Sequence, residues 1–291
     1  MKRILITGAT GNIGVEVIRY LIRDHQDHTV IAAVRDVEVA TKRFVDYPRL
    51  SFRQLDMENQ TTFEGAFEGI DVLFLLRPPH ISDVEKYMVP LLNSARTVGV
   101  NKVVFLSVQG AEKSKVIPHN KIERLIRHLA MDYIFVRPSY FMQNLTTTLL
   151  SEIVNHQTIT LPAGAAKFNW VDVHNIAEVT AILLTDFEKF KNQAFEITGS
   201  ENKTSGEATE LLTEVKGKEF RFRSINPFRF YFMKRKAGVE KGLAIVMTLL
   251  HSIPRLQQDP EVSSVYHRLT GKQPTTLREF LERERTTLIS G

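Results

Sequence analysis

The stretch KRILITGATGNIG, Lys2 to Gly14, decides the fold, because it carries an apolar run directly into three glycines spaced three residues apart. The run from Ile4 to Thr7 predicts a short buried strand. Gly8 allows a sharp turn, Gly11 allows a pyrophosphate to approach the backbone, and Gly14 allows the next helix to pack on the sheet. The pattern therefore predicts a nucleotide-binding turn, with the positive end of a helix facing the phosphate.

The rest of the first half alternates apolar runs with amphipathic segments, which is typical of βαβ units. Strands are predicted at 29–34, 51–55, 71–76, 102–107 and 133–136, and helices at 38–44, 61–67, 84–98 and 120–130. Beyond Pro138 the alternation loosens, with short strands near Ile159 and Phe195, helices at 176–184 and 205–215, and a last helix from Thr276.

These patterns predict an α/β fold, a doubly wound parallel Rossmann sheet with a small C-terminal α+β lobe for the substrate. We expect residues 1–140 to form the dinucleotide-binding domain, with sheet-completing segments up to about residue 200. Residues 141–291 would form the smaller lobe, with an interleaved boundary.

Composition excludes several classes of site. The chain has no cysteine, which excludes disulfides, thiolate metal sites and a cysteine nucleophile. Its histidines are scattered, so no metal is expected. The N-terminus lacks a signal-peptide pattern, and the apolar run from Leu243 to Leu250 is too short to cross a bilayer. We therefore expect a cytoplasmic protein with no membrane partner.

The segment from Phe220 to Lys236 interleaves aromatic and basic residues, which can indicate a nucleic-acid surface. Its alternating start more simply predicts a strand with Phe220 and Phe222 facing inward. The remainder then predicts a helix with a solvated basic end. No nucleic-acid partner is expected, and the oligomeric state stays open.

Five motifs agree with one family. They are GATGNIG (8–14), AAVRD (32–36), FEGIDVLFLL (67–76), SARTVGVNKVVFLS (94–107) and VRPSYFMQN (136–144). Together they resemble the NmrA-like atypical short-chain dehydrogenases, NAD(P)-binding proteins that include NADPH-dependent quinone reductases and cofactor-sensing regulators. The likeness runs to about Asp186, with an echo in TGKQPTTLREFLE (270–282).

The resemblance implies an NADP(H)-dependent oxidoreductase that reduces a small apolar acceptor such as a quinone. The alternative is a regulator that senses NAD(P) and binds a protein partner without turnover. A sugar-nucleotide epimerase-like enzyme is a third reading, and the missing catalytic dyad described below disfavours it.

Arg35 bears on the choice of cofactor. NAD-preferring Rossmann sheets carry an acidic residue at the end of the second strand, where this chain has Arg35. A guanidinium suits a 2′-phosphate through bidentate bonds, and Lys42 and Arg43 add positive field. The sequence therefore favours NADP(H), with NAD(H) as an alternative. Asp36 complicates this choice because it can bond a ribose hydroxyl itself, and Arg35 can also be a solvated surface residue.

The resemblance adds further cofactor contacts, with Asp56 bordering the adenine and Leu76 and Arg77 bordering the middle of the cofactor. The expected cofactor-binding residues are Gly8, Thr10, Gly11, Asn12, Ile13, Gly14, Arg35, Asp56, Leu76, Arg77, Ser107 and Pro138.

The catalytic dyad of ordinary short-chain dehydrogenases is missing. These enzymes protonate a carbonyl with a tyrosine, aided by a lysine four residues later, and this chain contains no Tyr-x-x-x-Lys. The corresponding stretch reads SKVIPHNKIERL (114–125). The resemblance identifies Lys121 with the dyad lysine and puts Ile117 in the place of the tyrosine. Lys121 would then bond the nicotinamide ribose, or it is simply a solvated helix lysine.

His119 is the nearest substitute proton donor. It precedes Lys121 by two residues, so a regular helix would aim the two side chains in nearly opposite directions unless His119 lies on the entering loop. Its expected role is to polarise a carbonyl or to donate a proton to it, since the pKa of a histidine can be tuned near neutral pH. The alternative is a histidine at the helix start, held by Glu123. His119 and Lys121 are the candidate catalytic residues.

Overall fold

The computed structural model describes residues 1–115 and 117–288. The chain divides into two compact units. The first unit comprises Met1–Pro138 and Val173–Ile197, and the second comprises Ser139–Asp172 and the chain from Thr198 on.

The strands, in chain order, are β1 (Arg3–Ile6), β2 (Thr29–Val34), β3 (Ser51–Gln54), β4 (Val72–Leu75), β5 (Lys102–Leu106), β6 (Asp132–Pro138), β7 (Tyr140–Phe141), β8 (Thr158–Leu161), β9 (Lys167–Val171), β10 (Gln193–Ile197), β11 (Asn202–Thr204) and β12 (Arg221–Ser224). The helices are α1 (Asn12–Asp24), α2 (Val37–Arg43), α3 (Phe63–Phe67), α4 (Val84–Thr97), α5 (Pro118–His128), α6 (Leu150–His156), α7 (Val173–Thr185), α8 (Phe187–Phe190), α9 (Ser205–Lys216), α10 (Pro227–Lys236), α11 (Lys241–Ser252), α12 (Val265–Thr270) and α13 (Leu277–Arg283).

The first unit is built on a parallel sheet of seven strands in the order β10-β6-β5-β4-β1-β2-β3. The chain moves outward from β1 to β3, then crosses back and continues from β4 to β10. This reversal makes the sheet doubly wound and places a crevice beyond the carboxyl ends of β1 and β4. The predicted α/β fold class is confirmed.

Burial explains why the central strands of this sheet are mostly apolar. Every residue of β4 (VLFL) is buried, as expected for a strand covered by helices on both faces. On one face the core joins residues such as Phe67, Leu91 and Phe105.

Several predicted helices begin at other residues in the structure: the helix predicted at 176–184 begins at Val173, and the one predicted at 38–44 begins at Val37. The helix predicted at 120–130 begins two residues earlier, because Pro118 occupies its first turn, where the missing N–H has no partner to lose. The helix predicted at 61–67 is a 3₁₀ turn over Gln60–Thr62 followed by the short α3.

The second unit contains two small sheets, β11-β9-β7 and β12-β8. Its core includes Trp170, Phe230 and Phe280. The basic and aromatic segment forms β12 and α10, the strand and helix that its pattern indicates. Among the described residues, the helices are all too short or too polar to span a membrane.

Candidate cofactor and active site

The glycine turn after β1 is shaped so that side chains would obstruct it. Gly8 has a φ of +61°, which favours glycine, and a Cβ there would approach Leu76 Cδ2 to 3.0 Å. The Gly11 N–H donates to the Gly8 carbonyl at 2.9 Å and closes the turn. A Cβ on Gly14 would lie 2.2 Å from the Gly8 carbonyl oxygen, so α1 packs on the turn only with glycine at that position.

The N-terminus of α1 is available to an anion. Gly11 is the N-cap, and among the described residues no side chain caps the helix and its first turn carries no carboxylate. Thr10, Gly11 and Asn12 are exposed, whereas Ile13 and Gly14 are buried. The free N–H groups and the helix dipole thus present a positive end to solvent.

Thr7 fixes this turn to the neighbouring strand, although the sequence analysis did not select it. Its buried hydroxyl donates to the Phe74 carbonyl at 2.9 Å and accepts from the Leu76 N–H at 2.8 Å. The ends of β1 and β4, where the chain reversal opens the crevice, are therefore held together by one side chain. A threonine before a glycine turn is the signal that would have found it.

Arg35 and Asp36 follow β2 and have different roles. Arg35 is exposed, and its guanidinium has no hydrogen-bond partner among the described residues. Asp36 is the N-cap of α2, where its carboxylate accepts from the Val39 N–H at 3.0 Å. One carboxylate oxygen of Asp36 is therefore engaged in the cap, and the bond of Asp36 to a ribose hydroxyl stays an alternative. Lys42 and Arg43 lie exposed in the last turn of the same helix.

Asp56 follows β3 and lies in a tight turn. Its carboxylate accepts from the Glu58 N–H at 2.9 Å, and its own N–H donates to the Thr62 hydroxyl at 3.0 Å. The residue is partly buried, and its contact with an adenine remains a prediction.

Arg77, after β4, is a partly buried cation. Its Nη1 donates to the carbonyls of Pro78, Pro79 and Ile81 at 2.9, 3.2 and 2.6 Å. Its Nε is buried and has no acceptor among the described residues. Burial lowers the pKa of the guanidinium below its usual value. A donor left unsatisfied beside Leu76 is consistent with a ligand that accepts a hydrogen bond there.

His119 lies in the first turn of α5 rather than on the entering loop. Its ring stacks near Phe105, with centroids 6.1 Å apart and an interplanar angle of 29°. Burial, followed by the neighbouring Arg77 cation, lowers the pKa of His119 to about 3. The expectation of a pKa near neutrality is therefore not met, and the imidazole is neutral at physiological pH.

Glu123 does not hold His119 among the described residues, contrary to one of the sequence alternatives. Its buried carboxylate accepts instead from Arg137, at 3.0 Å from Nε and 2.7 Å from Nη2. The Ser107 hydroxyl donates to the same carboxylate at 2.7 Å. Arg137 also pairs with Glu112 at 2.6 Å. This network ties α5 to the ends of β5 and β6.

Two expected cofactor residues, Ser107 and Pro138, lie at those strand ends. Ser107 is buried and its hydroxyl hydrogen is donated to Glu123, so its oxygen can only accept from a ligand. Pro138 ends β6, and its carbonyl accepts from the Gln109 N–H at 2.9 Å. Both positions remain predictions as cofactor contacts.

Lys121 lies one helical turn after Ile117. The Lys121 N–H donates to the Ile117 carbonyl at 3.2 Å, and the lysine side chain is exposed. Ile117 is the N-cap of α5, where it offers no side-chain hydrogen bond. The position that the resemblance assigns to a catalytic phenol is therefore apolar.

The second unit contains a separate buried polar pair. The Tyr140 hydroxyl lies 2.9 Å from His251 Nε2, and His251 Nδ1 lies 2.7 Å from the Met247 carbonyl. Since a carbonyl only accepts, Nδ1 carries the proton and Nε2 accepts from the phenol. Burial lowers the pKa of His251 to about 4 and raises that of Tyr140.

The described residues of the first unit fit a dinucleotide. The glycine turn leaves backbone space that a Cβ would fill, and the helix after it has no side-chain cap. The Arg35 guanidinium has no hydrogen-bond partner among the described residues, and Arg77 Nε is a buried donor without an acceptor there. The described residues offer no comparable site for a metal ion. Within residues 1–115 and 117–288, His, Asp and Glu form no group of three or more that could hold an ion.

Known proteins are similar to this chain over nearly its whole length. The chain is 27% identical over 278 residues to prestalk A differentiation protein A of Dictyostelium discoideum, covering 95% of this chain and 90% of that protein. It is 26% identical over 282 residues to an NAD(P)H azoreductase of Xenophilus azovorans, covering 95% and 96%. The NADPH-dependent quinone oxidoreductase QOR2 of Escherichia coli, solved with NADPH, shares the fold with a TM-score of 0.83 at 22% identity, covering 96% and 99%.

The NmrA-like family matches residues 1–281, which include the glycine turn, the parallel sheet and most of the second unit. The resemblance found in the motifs is thereby confirmed. The chain belongs to the NmrA-like family.

Proposed function

We propose that this protein is an NADP(H)-dependent oxidoreductase of the atypical short-chain dehydrogenase type, which reduces a small apolar acceptor such as a quinone. The main observation behind the proposal is the glycine turn from Gly8 to Gly14, which leads into a helix without a side-chain cap. Arg35, at the end of the next strand, is exposed, and its guanidinium has no hydrogen-bond partner among the described residues. The azoreductase relative and the quinone oxidoreductase of like fold support the same cofactor and an unsaturated, conjugated acceptor.

Each residue has a proposed role in binding. The N–H groups at Asn12 and Ile13 would receive the pyrophosphate, and Arg35 the 2′-phosphate. Arg77 Nε would donate to the middle of the cofactor. When bound, the reduced nicotinamide supplies a hydride, so the protein needs to position it rather than perform that chemistry.

In this proposal His119 donates a hydrogen bond to the acceptor rather than a full proton. With a pKa of about 3 it is a neutral imidazole at pH 7, which makes it a poor source of a full proton. A neutral imidazole still carries one N–H that can donate a hydrogen bond to oxygen as negative charge develops there. This weaker assistance suits a quinone, since quinones are reduced more easily than simple ketones.

The test is NADPH oxidation with a panel of benzoquinones and naphthoquinones, together with calorimetric measurement of NADPH affinity. Gly11→Val should weaken NADPH binding by roughly tenfold or more, because the new side chain occupies the approach of the phosphate. A Cβ there would make a tight contact of 3.3 Å with the Gly8 carbonyl oxygen, so circular dichroism must first show that the variant is folded. Gly65→Val is the matched control, because a Cβ there meets nothing within 4 Å.

The second candidate is a cofactor-binding regulator without turnover. The apolar Ile117 at the expected place of the phenol favours it. Tight binding of NADPH and NADP⁺, with no consumption of NADPH by any quinone of the panel, would support this candidate and reject the reductase. Turnover that disappears in Gly11→Val and persists in Gly65→Val would support the reductase.

A further inference from the structure

The helix α11 of the second unit has an unusual distribution of side chains. Its buried residues recur at helical spacing and include two polar groups: Ala244, Met247, Thr248 and His251. Its outward residues are aliphatic and 40–50% exposed: Ile245, Val246, Leu249 and Leu250, followed by Ile253 at 43%. An ordinary surface helix shows the opposite pattern, with its apolar side toward the core. The outward side of α11 is therefore an apolar surface without a partner among the described residues.

The preceding helix, α10, adds aromatic and basic residues to this region. Phe228 and Phe232, one turn apart, are 77% and 66% exposed. Phe230, between them, is buried with its ring 6.0 Å from that of His251, so it joins α10 to the inner side of α11. The last turn of α10 carries Lys234, Arg235 and Lys236. We call the exposed apolar side chains of the two helices the α10–α11 surface: Phe228, Phe232, Ile245, Val246, Leu249, Leu250 and Ile253.

The charge around this surface is concentrated and positive. Residues 227–256 contain six basic residues and one acidic residue, Glu240. Their formal charge is therefore +5, which equals the net charge of the whole protein. The rest of the chain has a formal net charge of zero. Glu240 is itself occupied as the N-cap of α11.

We propose that the α10–α11 surface binds the face of an anionic lipid bilayer. Exposed aliphatic and aromatic side chains enter the boundary between headgroups and acyl chains, and neighbouring Lys and Arg side chains attract anionic headgroups. Charge favours this partner over a second copy of the chain, because two identical surfaces would each bring a charge of +5 together.

This proposal changes one expectation from the sequence. The absence of a membrane partner was inferred from the length of the run from Leu243 to Leu250, which concerns crossing a bilayer. Lying on a bilayer depends instead on charge and on exposed apolar area, and the sequence alone does not reveal the exposed area. Lipid binding is measured without cofactor or acceptor, so it is independent of the proposed reductase activity.

The experiment is sedimentation of the full-length protein with phosphatidylcholine vesicles, with and without phosphatidylglycerol. We expect binding to the anionic vesicles, little binding to neutral ones, and weaker binding as salt is raised. The double variant Lys236→Glu, Lys241→Glu should bind at least about tenfold more weakly, since each basic residue near an anionic surface contributes roughly a fivefold factor. The double variant Val246→Ser, Leu249→Ser should lose binding through its apolar contribution.

Matched controls exist in the first unit and elsewhere in the chain. Arg96→Glu, Arg124→Glu makes the same charge change at exposed positions of α4 and α5. Val45→Ser, Val262→Ser makes the same polarity change at exposed positions. Both should bind vesicles as the unmodified protein does.

Three results would overturn the proposal. The first is no binding to phosphatidylglycerol vesicles, and the second is equal loss in the surface and control variants. The third is a dimer in analytical ultracentrifugation that dissociates in Val246→Ser, Leu249→Ser, which would assign the surface to a second copy. Unchanged circular dichroism of each variant shows that it is folded.

Discussion

At the scale of single residues, Arg35 is predicted to determine the choice between the two nicotinamide cofactors. Its guanidinium has no hydrogen-bond partner among the described residues, while the adjacent Asp36 caps α2. Arg35→Ala should lower the affinity for NADPH by about one to two decades, because a charge-assisted hydrogen bond contributes roughly 1.5–3 kcal/mol. Affinity for NADH should hardly change. Calorimetry with both cofactors checks this, and an unchanged ratio of the two affinities would show that Arg35 does not contact the 2′-phosphate.

His119 allows a second test at the residue scale. If its neutral N–H donates to the acceptor, His119→Ala should lower kcat by roughly 10²–10³, the usual effect of removing one such donor. NADPH affinity should stay nearly intact. If the residue only packs on Phe105, the variant should lose stability with kcat unchanged, which chemical denaturation measures.

His119→Gln is the matched control for that test, because glutamine keeps an N–H donor of similar reach. Partial recovery of kcat in this variant supports donation by His119. Equal kcat in His119→Ala and His119→Gln, both below that of the unmodified protein, would contradict donation by an N–H at this position.

At the scale of elements, the contact between β1 and α1 depends on Gly14. A Cβ at this position would lie 2.2 Å from the Gly8 carbonyl oxygen and 2.8 Å from the Ala9 Cα. Both neighbours are backbone atoms that move only with the turn itself. Gly14→Ala should therefore lower the free energy of unfolding by about 1–3 kcal/mol, as overpacking does.

Gly65→Ala in α3 is the control for that change. Nothing lies within 4 Å of its added Cβ, so alanine should raise stability by roughly 0.5–1 kcal/mol through helix propensity. Urea denaturation of both variants gives the comparison. Equal stability of Gly14→Ala and the unmodified protein would mean that α1 can move away from the turn.

The elements that the sequence predicted well are those whose patterns are local. The second strand was predicted at the residues of β2, because an apolar run between polar turns contains all the information needed. The helix α11 was not predicted, since its outward residues are as apolar as its inward ones and give no amphipathic pattern. Glu123 pairs with Arg137 and Ser107 and so joins three elements, a contact that no spacing in the sequence predicts.

In the candidate site, too, the features that a local motif contains could be predicted, and those that depend on distant residues could not. The glycine turn could be predicted because its chemistry lies within seven consecutive residues, Gly8 to Gly14. The neutral state of His119 could not, because its pKa depends on burial and on Arg77, 42 positions earlier in the sequence. Thr7 was also missed, since its hydroxyl acts through the distant backbone of Phe74 and Leu76.

At the scale of the whole molecule, each unit contains a histidine that resists protonation: His119 is partly buried and His251 is buried. Burial lowers the pKa of His119 to about 3 in the first unit and that of His251 to about 4 in the second, from an ordinary value of 6.5. A histidine whose pKa is depressed on folding stabilises the protein fully above pH 6.5, because the unfolded chain then gains no proton. That stabilisation is lost as the pH falls from about 6.5 toward the folded pKa.

The free energy of unfolding should therefore fall with acidification over this range, by up to about 1.4 kcal/mol per pH unit for each histidine. The single tryptophan, Trp170, lies in the second unit, so its fluorescence reports the unfolding of that unit. His251→Gln should lower stability at pH 7, because the Met247 carbonyl loses its Nδ1–H donor, yet flatten the dependence on pH between 6.5 and 4. His156→Gln, at an exposed position of the same unit, should leave the slope unchanged. An equal slope in His251→Gln and the unmodified protein would show that His251 takes up a proton as easily in the folded unit as in the unfolded chain.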